Sequence, residues 1–322
     1  MSDALNISYA VPDDAEQIAS LYKRVWGGNY RLKEFVEPSE VAKNVLNPKY
    51  VWPIAKIDGR VVGSTVGTIE GSQRCELGRT AVDKDYGAQR IASHLCDVMR
   101  DGALERGAEV LWGSVRNNQI HKIAHHLGLR VVGYLPGAHA AAEREVILMS
   151  QYLSESAKRK RVVPQHADIF GLKSVYGIQK ELSLGESRVG KYPLEVIVSE
   201  DVQNPALIAG DYHPHERSLR VTSYGSALVI PEYVEVTMFA DKNDQILQAL
   251  EAGFEICAYL PAWVEQGGAR FDSVLLAKPL VQPVLKNADF GPIVDGLREG
   301  FQFPHSPSIP MRTLRSRDRS PS

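Results

Sequence analysis

Cysteine is scarce in this chain, occurring at Cys75, Cys96 and Cys257 only. Three residues at wide spacing make neither a disulfide framework nor a zinc-ligand pattern, so they read as reduced, buried thiols, and no metal is expected. Net charge is nearly absent as well: 37 Lys and Arg stand against 39 Asp and Glu, a formal −2. Without basic bulk to track a phosphate backbone, nucleic acid is not the expected partner of the folded body. No apolar run approaches the roughly 18 residues of a membrane span. The opening stretch MSDALNISYAVPDDAEQ has no basic block followed by an apolar one, so the expectation is a cytoplasmic protein with no membrane partner. Walker patterns, CxxC pairs and Ser/His/Asp arrays are missing too. What the chain does have is ordinary globular composition, 44% hydrophobic and 24% charged over 322 residues. That is about two domains at roughly 150 residues each, enough to bury a core without staples.

The first half alternates strands and helices. Ile7–Ala10 reads as extended and Asp13–Val25 as an amphipathic helix, and Tyr50–Ile57 and Val61–Ile69 flank Asp58-Gly59 as a hairpin. A strand over Cys75–Val82, a helix from about Gly87 to Glu105 and a strand over Glu109–Val115 form a βαβ unit. Asn118–Leu127 is helical and stops at Gly128, and strands follow at Arg130–Tyr134 and Glu145–Ser150. Apolar periodicity then lapses at Ser154–Pro164, which carries the run Lys158-Arg159-Lys160-Arg161 and reads as a solvated linker. Strands are expected at Leu194–Val198, Ala206–Ala209 and Leu219–Thr222, and the Pro-, Ser- and Arg-rich tail beyond residue 304 is expected to be disordered. Asp211, His213, His215 and Glu216 look like a metal cluster, but His-Pro-His puts no two imidazoles on one face, so a surface loop is the expectation.

An internal repeat joins the halves. NQIHKIAHHLGLRVVGYLP at 118–136 and NDQILQALEAGFEICAYLP at 243–261 share the Asn, the capping Gly and the Tyr-Leu-Pro at a constant offset of 125. Each copy is preceded by a strand and followed by another, which points to duplication of a strand-helix-strand-strand unit.

Chemistry concentrates at CELGRTAVDKDYGAQRIASHL, residues 75–95. A strand ends at Val82, a polar turn carries Asp83-Lys84-Asp85, and the small residues Gly87 and Ala88 open a helix whose first backbone N–H groups and dipole favour an anion such as a pyrophosphate. Glu76-Leu77-Gly78-Arg79-Thr80-Ala81-Val82 followed by Asp85-Tyr86, with Gly-Leu after the Asn118 helix, resembles the GNAT acyltransferase superfamily in element order over about residues 5–152. The resemblance implies acetyl-CoA, or another acyl-CoA, as co-substrate. It places the pantetheine arm on Thr80, Ala81 and Val82 and the pyrophosphate on Gly87, Ala88, Gln89, Arg90, Ile91 and Ala92, with Asn117 beside the coenzyme. Where the family has a central glycine in this loop, Arg90 stands here; pointing outward, its guanidinium would pair with a phosphate. Where many members carry a tyrosine acid, seven residues beyond an Asn, Ala124 stands here. His121 on the same helix is the candidate replacement, while His125 and His126 sit where they also complement the helix dipole. Glu76, six residues before Val82, occupies the place of the glutamate base of some histone-modifying members.

The expected fold is therefore α/β: a GNAT-like mixed sheet flanked by helices (1–153), a linker (154–164), a second, shortened GNAT-like domain (165–304) and a tail (305–322). The second half shows no glycine-opened helix after a strand and is not expected to bind a coenzyme. The expected activity is acyl transfer from acyl-CoA to an amine of a small-molecule or amino-acid-like acceptor, with oligomerisation left open. A non-catalytic acyl-CoA-binding or regulatory module and an aminoacyl-tRNA-dependent transferase remain as alternatives.

Overall fold

The structure, a computed structural model, describes residues 5–27, 32–138, 144–198, 210–213, 218–221, 233–303 and 315–316. It divides into two compact units, residues 1–113 with 125–128 and residues 114–124 with 129–322.

In the first unit, β1 (Asn6–Tyr9), α1 (Ala15–Trp26), α2 (Lys33–Val36) and α3 (Pro38–Val45) precede β2 (Tyr50–Val51), β3 (Pro53–Ile57), β4 (Arg60–Glu70) and β5 (Arg74–Val82). Helix α4 (Ile91–Glu105) and β6 (Val110–Val115) follow. The strands lie in the order β1-β3-β4-β5-β6, with β2 beside β4, and every pairing is antiparallel except β5 with β6. Alternation along the strands sorts side chains to two faces. Ile54, Val61 and Val66 join Ile18, Leu21, Tyr22, Phe35 and Val41 of α1–α3, whereas Ala55 and Val62 join Ile91 and Leu95 of α4. Helix α4 lies so close to β4 that a Cβ at Gly63 would be 2.7 Å from Ile91 Cγ2. The expected α-helix from Gly87 is corrected: Lys84–Gln89 is a 3₁₀ turn and α4 starts at Ile91, because Arg90 between them takes a left-handed conformation.

The second unit holds α5 (Asn118–His126), β7 (Arg130–Pro136), β8 (Val146–Leu153), α6 (Glu155–Lys160), β9 (Arg161–Val163), α7 (Lys173–Glu181) and β10 (Arg188–Val189). It continues through β11 (Gly210–His213), β12 (Ser218–Val221), β13 (Tyr233–Phe239), α8 (Asn243–Glu251), β14 (Glu255–Gln266), β15 (Ala269–Pro279) and α9 (Gly291–Gly300). The strand order is β8-β7-β14-β15-β13-β12-β11, with β9 pairing β15 and β10 pairing β9. The stretch expected as a solvated linker is instead built into the fold. Ser154 caps α6 by accepting from the Ala157 amide (3.1 Å), Ala157 is buried, and β9 pairs in parallel with β15. Arg161, the last of the basic run, is buried; its Nη2 lies 2.6 Å from Asp272 Oδ2 and donates to Tyr259 Oη at 2.8 Å. Charge alone could not show this, because the neutralising Asp272 is distant in sequence. The expected strand at Leu194–Val198 is reduced to an isolated bridge from Ile197 to Met238. Ala206–Ala209 lies outside the described residues, as do His215, Glu216 and the tail apart from Arg315–Ser316.

The two copies of the repeat match closely. Each contains strand, nine-residue helix, strand and strand, β6-α5-β7-β8 and β13-α8-β14-β15. Gly128 (φ 85°) and Gly253 (φ 86°) close the two helices in the left-handed conformation that glycine adopts without a Cβ penalty. Strands β7 and β14 pair antiparallel, with Gly133 opposite Ala258, two residues also 125 apart. That makes a local two-fold seam so close that a Cβ on Gly133 would be 2.3 Å from that of Ala258. Beyond β13 the second unit repeats the β4-β5-β6 pattern: β12 runs parallel to β13 and β11 antiparallel to β12. Residues 222–232, which connect β12 to β13, are fewer than the 15 residues of α4 alone, whereas 83–109 connect β5 to β6.

Candidate active site

Strand β5 carries the predicted residues of the first unit. It pairs with β4 from Glu70↔Arg74 to Gly63↔Val82, with a bulge where Thr65 faces both Arg79 and Thr80. Arg79 lies at φ 55°, a left-handed conformation that costs a non-glycine residue about 1 kcal/mol. The surroundings hold it there: Tyr22 Oη donates to the Arg79 carbonyl (2.5 Å), and the Thr65 hydroxyl lies 3.1 Å from the Gly78 carbonyl and 2.7 Å from Thr80 Oγ1. Toward β6, β5 pairs only over Arg74–Glu76 with Val110–Trp112, although β5 itself runs on to Val82. A Cβ at Gly113 would be 2.8 Å from the Leu77 carbonyl, so the two strands are still close at that level. From Gly78 to Val82, including Thr80, Ala81 and Val82, the β6 side of β5 has no strand partner among the described residues.

The turn after β5 is anchored by Asp83. Its amide donates to the Val62 carbonyl (2.8 Å), its carboxylate caps the 3₁₀ turn at the Asp85 amide, and Arg60 and Arg24 reach it at 3.0 and 3.2 Å. Gly87 is exposed, with nothing within 4 Å of a Cβ position; Ala88 and Gln89 are described by their backbone alone. Arg90 is exposed at φ 54° and ψ 21°, so it adopts the conformation suited to the glycine it replaces and its side chain faces outward. The Ser93 and His94 amides are the first to return to the Arg90 carbonyl, at 3.0 and 3.2 Å. The amides of Ile91 and Ala92 precede them and have no intrahelical acceptor, which leaves the helix start with donors for an anion.

The face of β5 opposite α4 brings the predicted Glu76 together with Thr68, Arg79 and Trp112, to which sequence reasoning gave no role. Thr68, Glu76 and Trp112 lie side by side across β4, β5 and β6. Arg79 Nη2 donates to Glu76 Oε2 and Nη1 to Thr68 Oγ1, both at 3.1 Å, and the guanidinium stands 5.6 Å from the Phe35 ring centroid. Glu76 and Arg79 side chains are each about one-quarter exposed, at 26% and 25%. Tyr50, opposite Thr68, keeps its phenolic proton more tightly than usual, first through burial and then through the Glu34 charge, with Arg79 opposing. No sequence signal marked Arg79, since only its left-handed backbone at a bulge sets it apart.

Asn117 and His121 belong to the second unit. Asn117 is exposed and caps α5 by accepting from the Ile120 amide (2.9 Å). His121 is half-buried, with its ring centroid 6.1 Å from that of Phe290, and Ala124 is buried. His125 and His126 are exposed, and His126 Nε2 lies 3.4 Å from Asp97. All three cysteines are buried, unpaired thiols. Among the described residues no group of His, Cys, Asp or Glu is placed to hold a metal ion, and no helix is long and apolar enough to cross a membrane.

The acetyltransferase (GNAT) family model matches residues 15–134. Those residues belong to the GNAT acetyltransferase family. The matched segment runs from α1 to β7 and contains every predicted site residue. Solved structures similar to the chain include the ribosomal-protein-S5-alanine acetyltransferase from Vibrio fischeri, 13% identical, covering 48% of this chain and 96% of that one at a TM-score of 0.43. The PaiA N-acetyltransferase from Thermoplasma acidophilum in complex with coenzyme A is 14% identical, covering 47% of this chain and 99% of that one at a TM-score of 0.39. No curated protein sequence matches the chain. The GNAT domain is of the N-acetyltransferase type, and its sheet flanked by helices is the mixed α/β architecture the resemblance implied.

Proposed function

We propose that the protein transfers an acetyl or other acyl group from acyl-CoA directly to the amine of a small acceptor. One observation carries this reading: β5 keeps its β4 partner through Val82 but has no partner strand on its other side from Gly78 among the described residues, and it leads straight into a turn and a helix start whose first amides have no intrahelical acceptor. An open strand edge offers backbone groups to an extended pantetheine arm, and the helix start offers donors to the pyrophosphate.

In this scheme the edge at Thr80, Ala81 and Val82 orients the arm, and the Val82 amide polarises the thioester carbonyl. The loop from Gly87 to Ala92 holds the pyrophosphate, with the outward Arg90 guanidinium against a phosphate. Glu76 accepts a proton from the acceptor's ammonium group. The free amine nitrogen then attacks the carbonyl carbon, the C–N bond forms, the nitrogen gives up its second proton to water, the C–S bond breaks, and the thiolate leaves and takes a proton from water. None of the cysteines is needed as a nucleophile. Burial pushes Cys75 up to about 12, with Glu70 and Glu76 adding to it, and pushes Cys96 up to about 11, both away from the thiolate form. Ala124 favours a second reading, coenzyme binding without turnover, because a buried methyl group there supplies no proton.

The test is calorimetry with acetyl-CoA, followed by coenzyme release in the presence of amines. Gly87→Glu puts charge and bulk where amides meet pyrophosphate and is expected to weaken acetyl-CoA at least tenfold, about 1.4 kcal/mol. Unchanged affinity in a folded Gly87→Glu variant removes the loop from the site. Tight binding with no release for any amine selects the non-catalytic reading.

A further inference from the structure

We propose that Tyr22 is a positioning residue for the coenzyme: by donating to the Arg79 carbonyl, it holds the β5 bulge that decides which backbone groups of Thr80, Ala81 and Val82 are offered to the pantetheine arm. This inference rests on the acyl-transfer reading and deepens it.

In a regular strand the backbone groups of successive residues turn alternately to one neighbouring strand and to the other. Between the pairs Val66↔Gly78 and Ser64↔Ala81, β4 moves by two residues while β5 moves by three, so one residue of β5 is extra. Beyond that point the alternation is shifted by one. Groups that would have turned to β4 turn instead to the side of β5 that has no partner strand among the described residues. The bulge therefore sets the pattern of donors and acceptors from Thr80 to Val82, the segment proposed to meet the arm. It does not sustain itself, because Arg79 at φ 55° is strained and keeps that conformation only where its surroundings hold it.

Two clamps act on the bulge, one on each face of the sheet. On the face toward α4, the Thr65 hydroxyl lies 3.6 Å from Met99 Sδ, 3.1 Å from the Gly78 carbonyl and 2.7 Å from Thr80 Oγ1. On the other face, α1 brings Tyr22 Oη to the Arg79 carbonyl at 2.5 Å. A trans peptide is planar, so fixing that carbonyl also fixes the direction of the Thr80 N–H. The hydroxyl is itself placed by a chain that runs one way. Trp52 Nε1, a donor only, donates to Ser64 Oγ (2.8 Å), Ser64 Oγ lies 3.5 Å from Tyr22 Oη, and the Arg79 carbonyl accepts at the far end. Packing does not require the hydroxyl. Tyr22 is fully buried with its ring centroid 5.4 Å from that of Phe35, a contact that phenylalanine would also make, whereas a buried hydroxyl costs free energy unless it is bonded. Here the bond goes to the left-handed residue of β5.

Calorimetry on the full chain tests this with acetyl-CoA and with 3′-phospho-ADP, the coenzyme fragment that keeps the pyrophosphate and lacks the arm. Tyr22→Phe is expected to weaken acetyl-CoA about tenfold and to leave 3′-phospho-ADP within about twofold. A merely structural hydroxyl would lower the unfolding midpoint and leave the ratio of the two affinities unchanged. If Tyr22→Phe does not fold, Ser64→Ala, which removes the chain behind the hydroxyl, is expected to move the same ratio in the same direction by about threefold. An unchanged ratio in the folded variant overturns the inference. So does a wild type that holds acetyl-CoA no more tightly than 3′-phospho-ADP, because the strand edge then contributes nothing to the arm. A wild type that binds acetyl-CoA but not its fragment overturns it too, since the pyrophosphate loop then has no hold independent of the edge. Failure to bind acetyl-CoA at all overturns the acyl-transfer reading itself.

Discussion

Position 90 sets a left-handed backbone against a side chain that disfavours it. With φ at 54°, glycine fits there without penalty, while any Cβ is strained by about 1 kcal/mol. Arg90→Gly and Arg90→Ala both remove the guanidinium, so both are expected to weaken acetyl-CoA. In urea unfolding, however, the Gly variant should exceed the Ala variant by about 1 kcal/mol. An Ala variant as stable as Gly would mean the left-handed conformation is not held in solution. Glu76 allows a different separation. Glu76→Gln keeps size and hydrogen-bond acceptance from Arg79 but removes the proton acceptor, so kcat should fall roughly a hundredfold or more while acetyl-CoA affinity stays within about threefold. A small loss in kcat would identify Glu76 as a partner of Arg79 rather than a base.

Helix α4 is seated by the absence of a side chain beneath it. A Cβ at Gly63 would lie 2.7 Å from Ile91 Cγ2 and 2.9 Å from Leu95 Cδ1, both in the opening turns that carry the proposed pyrophosphate amides. Gly63→Ala is therefore expected to destabilise the first unit by about 1–3 kcal/mol and to weaken acetyl-CoA at the same time, measured by unfolding and calorimetry on one sample. Loss of stability with unchanged affinity would show that the helix start holds its place independently of its packing. Much at this scale was legible in the sequence. The Asp58-Gly59 hairpin, the strand ending at Val82 and the helix closed by Gly128 follow from turn chemistry and periodicity, which are local. The helix start was misplaced because Gly87 and Ala88 look like an opening, whereas the left-handed backbone at Arg90 postpones it. Arg161, the last of the basic run, escaped because its neutralisation by Asp272 is a property of the folded chain. Arg79 escaped for the same reason: its bulge exists only when β4 and β5 pair.

The two versions of one strand pattern differ in the connection before the parallel strand: residues 83–109 between β5 and β6 include the 15-residue α4, whereas residues 222–232 between β12 and β13 are too few for a helix of that length. A single acetyl-CoA per chain, bound by the GNAT domain, is the expected stoichiometry, and a calorimetric value near two would show that the second unit has its own site. Alkaline pH should loosen the first unit in a predictable direction. Cys75 and Cys96 have ordinary values of 9.0 and are pushed up to about 12 and about 11, chiefly by burial. Raised folded-state values mean that their contribution is intact below pH 9 and is lost as pH rises toward 11–12, because the unfolded thiols release their protons first. Unfolding midpoints of the wild type should thus fall more steeply over that range than those of Cys75→Ala, and parallel slopes would refute it.

The seam between β7 and β14 has a consequence for how two such units could be joined. Gly133 and Ala258 are the same position in two copies, and they face each other across an antiparallel pair. Self-complementary pairing of equivalent residues is the mark of an isologous dimer interface. A single-copy ancestor pairing through this edge would have been a homodimer, and joining the genes would have turned a concentration-dependent association into an intramolecular one.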